Sequence, residues 1–265
     1  MNKIFEGKAA IITGGGRGIG KAVAEAYSSF GAGVVLNARS EHEIDAVAAA
    51  IKKAGGRAIA VAGHIGDPAT APLLVRACID AFGTCDILVN NAGINGQTDD
   101  VEDLDLAQWE EIFRINVTGT MLTCRAAIPQ MRKQGSGRII NVSSAMAYRV
   151  QRGRSPYSAT KAAVTQFTKV LAADVRPYRI LANAVRPGLV ATPTTAELVD
   201  IKGSAAREET AKRVGDQYKV GGLITAEQSA RFFVWLAGGC DRTGDFILIE
   251  DAAAEINAFY ERIAG

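Results

Sequence analysis

Short apolar runs recur along the chain, separated by longer amphipathic stretches, and the two alternate over most of its length. The runs at 8–13, 33–38, 58–62, 86–90, 138–143, 180–185 and 246–249 have the length of strands. Most are continuously apolar, as parallel strands covered on both faces require, and few alternate. The stretches at 20–30, 41–54, 68–82, 106–128, 157–175 and 226–236 carry helical periodicity. Asp67-Pro68 predicts a helix start, an N-cap followed by proline in the first turn. Gly31, Gly55 and Gly83 fall just beyond predicted helix ends, where a positive φ is often needed. Repeated strand–helix units predict an α/β fold with a doubly wound, seven-stranded, mostly parallel sheet and helices on both faces. No repeat, low-complexity tract or linker divides residues 1–265, so one domain is expected.

Composition narrows the function classes more than it identifies one. A hydrophobic content of 48% supplies a large core, and 22% charged residues favour solubility. The net charge of +2 makes no case for nucleic acid or a membrane surface. The opening MNKIFEGKAAIIT lacks the apolar centre of a secretion signal, and no run reaches transmembrane length. Cys78, Cys85, Cys124 and Cys240 form no CxxC pair, so reduced, buried thiols in a cytoplasmic protein are expected, with no metal site.

The polar and glycine-rich motifs all fall at one edge of the predicted sheet. Residues 13–20 follow the first strand, 90–93 the fourth, Ser143-Ser144 the fifth and 187–192 the sixth. Those are carboxyl ends of strands, where open α/β sheets bind ligands. TGGGRGIG at 13–20 spaces its useful glycines as GxxxGxG, at Gly14, Gly18 and Gly20. Such a turn brings main chain up to a pyrophosphate, with free N–H groups of the next helix facing it. Gly20 would let that helix lie close on the sheet. Asn91, in NNAG at 90–93, can tie neighbouring strands together, while Ala92 and Gly93 leave room for a ring or ribose.

Tyr157 and Lys161 sit one helical turn apart in SPYSATKAAVTQF. An ordinary phenol titrates near pH 10, about 4 kcal/mol from ionising at neutrality. Two unit charges 4 Å apart at an effective dielectric of ~20 interact by about 4 kcal/mol, so one well-placed lysine nearly suffices. A phenol tuned this way can exchange a proton with an alcohol or carbonyl oxygen.

From GKAAIITGGGRGIG through DILVNNAG, FRINVTG, GRIINVSS and YSATK to RPGLVAT, the chain resembles the short-chain dehydrogenase/reductase family, and with it the Rossmann-type fold. The resemblance implies Tyr157 as general acid/base and Lys161 as ligand of the nicotinamide ribose. It implies Ser144, in preference to Ser143, as hydrogen-bond partner of the substrate oxygen, and Asn116 as holder of a water in a proton relay. Gly14, Gly16, Gly18, Ile19 and Gly20 would receive the pyrophosphate side of the cofactor, and Arg17 in the same turn would be a second contact, beside Arg39, for a 2′-phosphate. Asn91, Ala92 and Gly93 would flank its ribose. Pro187, Gly188, Val190 and Thr192 match the segment at the carboxamide.

Where many NAD-specific relatives carry an acid near position 38, this chain has Ala38, Arg39 and Ser40. A 2′-phosphate suits an arginine fork, so NADP(H) is the expected cofactor, with NAD(H) as the alternative. His64-Ile65 stands where relatives often have Asp-Val, beside the adenine, and Glu250-Asp251-Ala252 replaces a usual Asp-Gly-Gly. The helix at 226 also lacks its familiar preceding proline. Residues 194–222 match a substrate lid, with a short helix or two, and a homodimer or homotetramer is implied. The three arginines in YRVQRGR (148–154) read first as a solvated or interface patch and second as partners of a substrate carboxylate or phosphate. Together these features predict an oxidoreductase interconverting carbonyl and alcohol on a small molecule. The competing readings are a redox-silent dinucleotide-binding regulator or scaffold, and an NAD-dependent lyase or epimerase using transient oxidation.

Overall fold

Seven strands form one sheet in which every pairing is parallel, in the order β3-β2-β1-β4-β5-β6-β7. The strands are β1 (Ala9–Thr13), β2 (Gly33–Ala38), β3 (Arg57–Ala62), β4 (Ile87–Asn90), β5 (Gly137–Val142), β6 (Ile180–Arg186) and β7 (Phe246–Leu248). A computed structural model describes residues 2–199, 202–219 and 223–264. All seven strands occupy the predicted places, with ends shifted by a residue where they shift at all.

The continuous apolar runs are explained by two cores, one on each face. Successive residues of β1 feed them in turn: Ala10 and Ile12 join one cluster, Ala9 and Ile11 the other. The first cluster lies under α1 (Gly18–Ser29), α2 (Glu41–Lys53), α9 (Ala226–Gly238) and α10 (Ala253–Ala264), through Tyr27, Ile44, Phe232, Phe233 and Phe259. The second is covered by α3 (Thr70–Phe82), α5 (Gly119–Gln134) and α6 (Ser155–Val175), through Leu74, Met131, Leu171 and Val175. The buried Tyr27 hydroxyl donates to the Phe233 carbonyl at 2.9 Å, tying α1 to α9. All four cysteine thiols are free and buried. Burial pushes the Cys124 thiol up to about 12, against hydrogen bonds with Asn141 and Asn90 that pull it down.

Two predicted helices differ in detail, and one further helix was not predicted. The helix expected at 68 begins at Thr70, because Asp67 closes a turn first: its Oδ1 accepts from the Ala69 N–H and its carbonyl from the Thr70 N–H. The stretch at 106–128 is not one α-helix. It comprises α4 (Leu106–Phe113), a π-helical turn at Arg114–Thr118 and α5, which runs on to Gln134. A C-terminal helix, α10, lies where none was predicted and buries Ile256 and Phe259. Gly31, Gly55 and Gly83 do take positive φ, at 101°, 83° and 78°. Ahead of α9, Thr225 and Gln228 form a reciprocal capping box in place of a proline start. The 194–222 segment contains α7 (Pro193–Val199) and α8 (Ala205–Lys219), while its residues 200–201 and 220–222 lie outside the described residues. Among the described residues no helix is long and apolar enough to cross a membrane.

The chain order reverses between β1 and β4. Their diverging carboxyl ends open the crevice in which this kind of sheet takes a ligand.

Candidate active site

A cleft of about 810 Å³ lies along that edge. Of the residues expected at cofactor, all but Gly20 line it, as do Ser144, Tyr157 and Lys161. Asn116 and Gly20 stand behind its wall.

The glycine turn is held from beneath by side chains of two strands. The Asn91 amide donates to the carbonyls of Thr13 and Gly14 at 3.1 and 3.2 Å. The buried Thr13 hydroxyl accepts from the N–H groups of Asn91 and Ala92. Gly14 has φ +64°, and a Cβ there would lie 2.9 Å from the Asn91 amide nitrogen. At Gly20 a Cβ would meet the Gly14 carbonyl oxygen at 2.2 Å, so the helix packs on the turn only because no side chain exists. The α1 N-terminus begins at Gly18 and no side chain caps it. Its first N–H groups therefore face the cleft with their positive end of the helix dipole, a cradle that fits a pyrophosphate.

At the end of β2, Asn37 spends its amide on the carbonyls of Val61 and Gly63. Arg39 and Ser40 are exposed, and among the described residues neither side chain is hydrogen-bonded, although Ser40 is the N-cap of α2. Glu43 also lines this end. His64 is fixed by the Glu111 carboxylate at 3.1 Å and by the Gly66 N–H, which donates to Nδ1 at 3.1 Å. An Arg114 hydrogen bond holds the Glu111 carboxyl below its ordinary value, against burial, with help from His64.

The residues expected to handle a proton sit between β5 and the first turns of α6. Pro156 starts α6, so Tyr157 lies in its first turn and Lys161 one turn further on. Lys161 is only 4% exposed, yet among the described residues it pairs with no carboxylate: Nζ donates to the Val142 carbonyl at 2.9 Å. A lysine ammonium has three donors. The others remain for hydroxyl groups in the cleft, and a Cβ on Gly93 would come within 3.6 Å of Nζ. The Tyr157 hydroxyl has no protein partner among the described residues, while two cations lie beside its ring: Lys161 Nζ 5.5 Å and Arg154 Cζ 4.6 Å from the centroid. The two serines divide their work. Ser143 bonds to the Lys161 carbonyl and Thr165 behind the wall, whereas the Ser144 hydroxyl accepts from the Met146 N–H and keeps its own proton to donate.

Asn116 is a brace. Its amide exchanges hydrogen bonds with both main-chain groups of Ile94 and donates to the Thr160 hydroxyl, joining the loop after β4 to α6. The π-turn that carries it puts that amide inside the wall instead of in the cleft.

Sequence reasoning missed Thr13, Thr160 and, above all, Arg154. Instead of lying in a solvated patch, Arg154 is 3% exposed, held by Thr98 and Asn95 and stacked on Tyr157. Burial pushes its guanidinium below the ordinary value, Tyr157 opposes that, and Arg213 adds to it. Arg152 does face solvent, paired with Asp100. The hint for Arg154 was its place among the arginines just before the Tyr157 turn. Glu250, in the altered C-terminal motif, pairs with Arg186 at 3.3 Å.

With this fold and cleft, the chain belongs to the short-chain dehydrogenase family, whose model matches residues 8–202. It is similar to the short-chain reductase protein NovJ of Streptomyces niveus, 37% identical over 86% of each chain. It is also similar to a 3-oxoacyl-[acyl-carrier-protein] reductase of Synechocystis sp., 40% identical over 71% of this chain and 76% of the relative. Glucose 1-dehydrogenase 2 of Bacillus subtilis is 33% identical over 81% of this chain and 83% of its own.

Proposed function

We propose that the protein is an NADP(H)-dependent reductase/dehydrogenase that interconverts a carbonyl and an alcohol on a small molecule. The observation that carries this is the unpartnered Tyr157 hydroxyl at the cleft, beside the buried, incompletely bonded Lys161 ammonium. Bound nicotinamide dinucleotide would supply the hydride for reduction and accept it in the reverse direction. Tyr157 gives the proton to the carbonyl oxygen, or takes it from the hydroxyl. Ser144 donates to the same oxygen and fixes its position. Lys161 bonds the ribose hydroxyls and favours the anionic phenol that remains after proton transfer. The N-terminus of α1, with Gly14, Gly16 and Gly18, receives the pyrophosphate. Arg39 and Ser40, whose side chains have no hydrogen bond among the described residues, meet a 2′-phosphate at the opening of α2, where Glu43 is a partial offset. The main-chain groups of Pro187, Gly188 and Val190, with Thr192, face the carboxamide.

Residues 194–222 act as the lid over the substrate end, and the family resemblance supports a homo-oligomer in the cytoplasm. The relatives' names support the same chemistry, since a reductase and a dehydrogenase are both among them.

Following nicotinamide absorbance with NADPH and NADH against diverse ketones, aldehydes and alcohols tests the reading. Turnover of at least one carbonyl, faster with NADPH, is expected. Tight NADPH binding without turnover across the panel would favour a redox-silent binder. Substrate conversion with no net change in cofactor would favour a lyase or epimerase.

A further inference from the structure

The dinucleotide and the proton transfer leave two cleft-lining arginines without work. Arg17 and Arg39 lie at the phosphate end, Arg186 is paired with Glu250, and Arg154 is pinned on Tyr157. Arg149 and Arg213 remain. Both line the same cleft as Ser144 and Tyr157, and among the described residues neither side chain makes a hydrogen bond or ion pair. The Arg213 Nε is fully buried and has no acceptor. A buried donor left unmade, with a like charge near it, is destabilising until an anion completes it. Burial depresses the Arg213 guanidinium first and the Arg149 charge second, while Glu209 opposes both. Arg213 belongs to α8, whose first turn is anchored by Arg207 and Ser204 to the buried Asp99 carboxylate. The neighbouring Thr98 holds Arg154. The unpaired guanidinium is thus positioned relative to Tyr157 through a continuous set of bonds.

We propose that Arg213 and Arg149 form an anion subsite, so that the preferred substrate is a ketone or aldehyde bearing a carboxylate or phosphate. This names the substrate class of the reductase reading above and rests on it. An incoming carboxylate or phosphate accepts the idle guanidinium donors and neutralises the like-charge pair. Bidentate geometry suits arginine for this better than lysine.

The test compares kcat/KM on matched probes with NADPH and the full chain: 4-oxopentanoate against its methyl ester, and dihydroxyacetone phosphate against dihydroxyacetone. The charged member of at least one pair should exceed its neutral partner by about tenfold or more, as expected for charge-assisted bonds. Which pair does so distinguishes carboxylate from phosphate. Arg213→Gln should collapse that ratio towards one, and Arg213→Lys should recover part of it. Neutral members favoured in both pairs, or a ratio unchanged in Arg213→Gln, would overturn the subsite. Arg149→Gln repeats the comparison should the thermal midpoint of the first variant fall. Binding of 4-oxopentanoate and of inorganic phosphate to the NADPH-loaded protein, read by saturation-transfer NMR, separates the two claims. Saturable binding weakened at least tenfold in Arg213→Gln, with no carbonyl turned over, sinks the reductase reading and keeps the subsite. Absence of saturable binding to the unsubstituted protein sinks the subsite.

Discussion

The two ends of the cleft are built from different materials. The dinucleotide end consists mostly of main chain: a glycine turn, an uncapped helix terminus, carbonyls held by the Asn91 amide and N–H groups held by the Thr13 hydroxyl. Such a surface tolerates no added atoms, and Gly20 with its 2.2 Å approach shows how little slack remains. The proposed substrate end consists of long side chains, with Arg149 and Arg154 coming from the loop before α6 and Arg213 from α8. Glycine shapes the first end by leaving space. Charge shapes the second by demanding a partner. A fixed cofactor and a variable substrate call for this division, because loops can change while the scaffold that holds the dinucleotide does not.

The comparison can be broken at several points. Lys161→Ala strikes where the two ends meet, and kcat/KM should fall by roughly 100- to 1,000-fold, with NADPH affinity weakened as well. A variant that kept both would show that the ammonium serves only the Val142 carbonyl. Arg39→Asp tests the phosphate end alone: the NADPH-over-NADH preference in kcat/KM should drop by roughly 10- to 100-fold. An unaltered preference would place the 2′-phosphate elsewhere.

Added methyl groups should separate the ends by their packing. Gly20→Ala should cost about 1–3 kcal/mol of stability through overpacking, and NADPH titration should show affinity at least tenfold weaker. In α8, a Cβ on Gly215 would meet, among the described residues, only the Val199 side chain at 3.9 Å. Gly215→Ala should therefore stabilise by up to about 1 kcal/mol through helix propensity, with unchanged NADPH affinity. Equal effects at the two glycines would erase the distinction.

The smallest effect concerns the anchor of α8. Burial raises the Asp99 carboxyl, but bonds from Ser204, Arg207 and Gln97, with the Arg207 charge, outweigh it and leave it below the ordinary value. A carboxyl depressed in the folded state stabilises above its unfolded value, near pH 4, and loses that contribution as acid titrates it through the lower folded value. Asp99→Asn should lower Tm by about 3–6 °C at pH 6, and the gap should shrink from pH 4 towards pH 2. A gap that is constant with pH would remove the charge from the account.

What could be read in advance follows the same division. Strands of continuous apolar residues, and glycine turns at their carboxyl ends, are local patterns, so the sheet and the glycine turn at its edge were visible in the residues. Arg154 was not, because its burial depends on Thr98 and Asn95, which a different loop supplies. The break at Arg114–Thr118 was hidden for a similar reason: the π-turn places Asn116 to brace Ile94, a tertiary contact that helical periodicity does not encode. The α10 helix was legible but not read: Ile256, Phe259, Tyr260 and Ile263 recur at helical spacing and pack on the core, while the polar residues between them stay exposed. Arg213 lies in a charged, weakly periodic stretch that named no partner until the cleft was seen.

The central claim is that one phenol moves the proton while the scaffold around it holds the cofactor. Single-turnover reduction of the best carbonyl by preloaded NADPH, compared between the unsubstituted protein and Tyr157→Phe, tests it most directly. The account predicts a rate lower by about 100- to 10,000-fold with an NADPH dissociation constant changed less than threefold. A near-normal rate in the phenylalanine variant would contradict it.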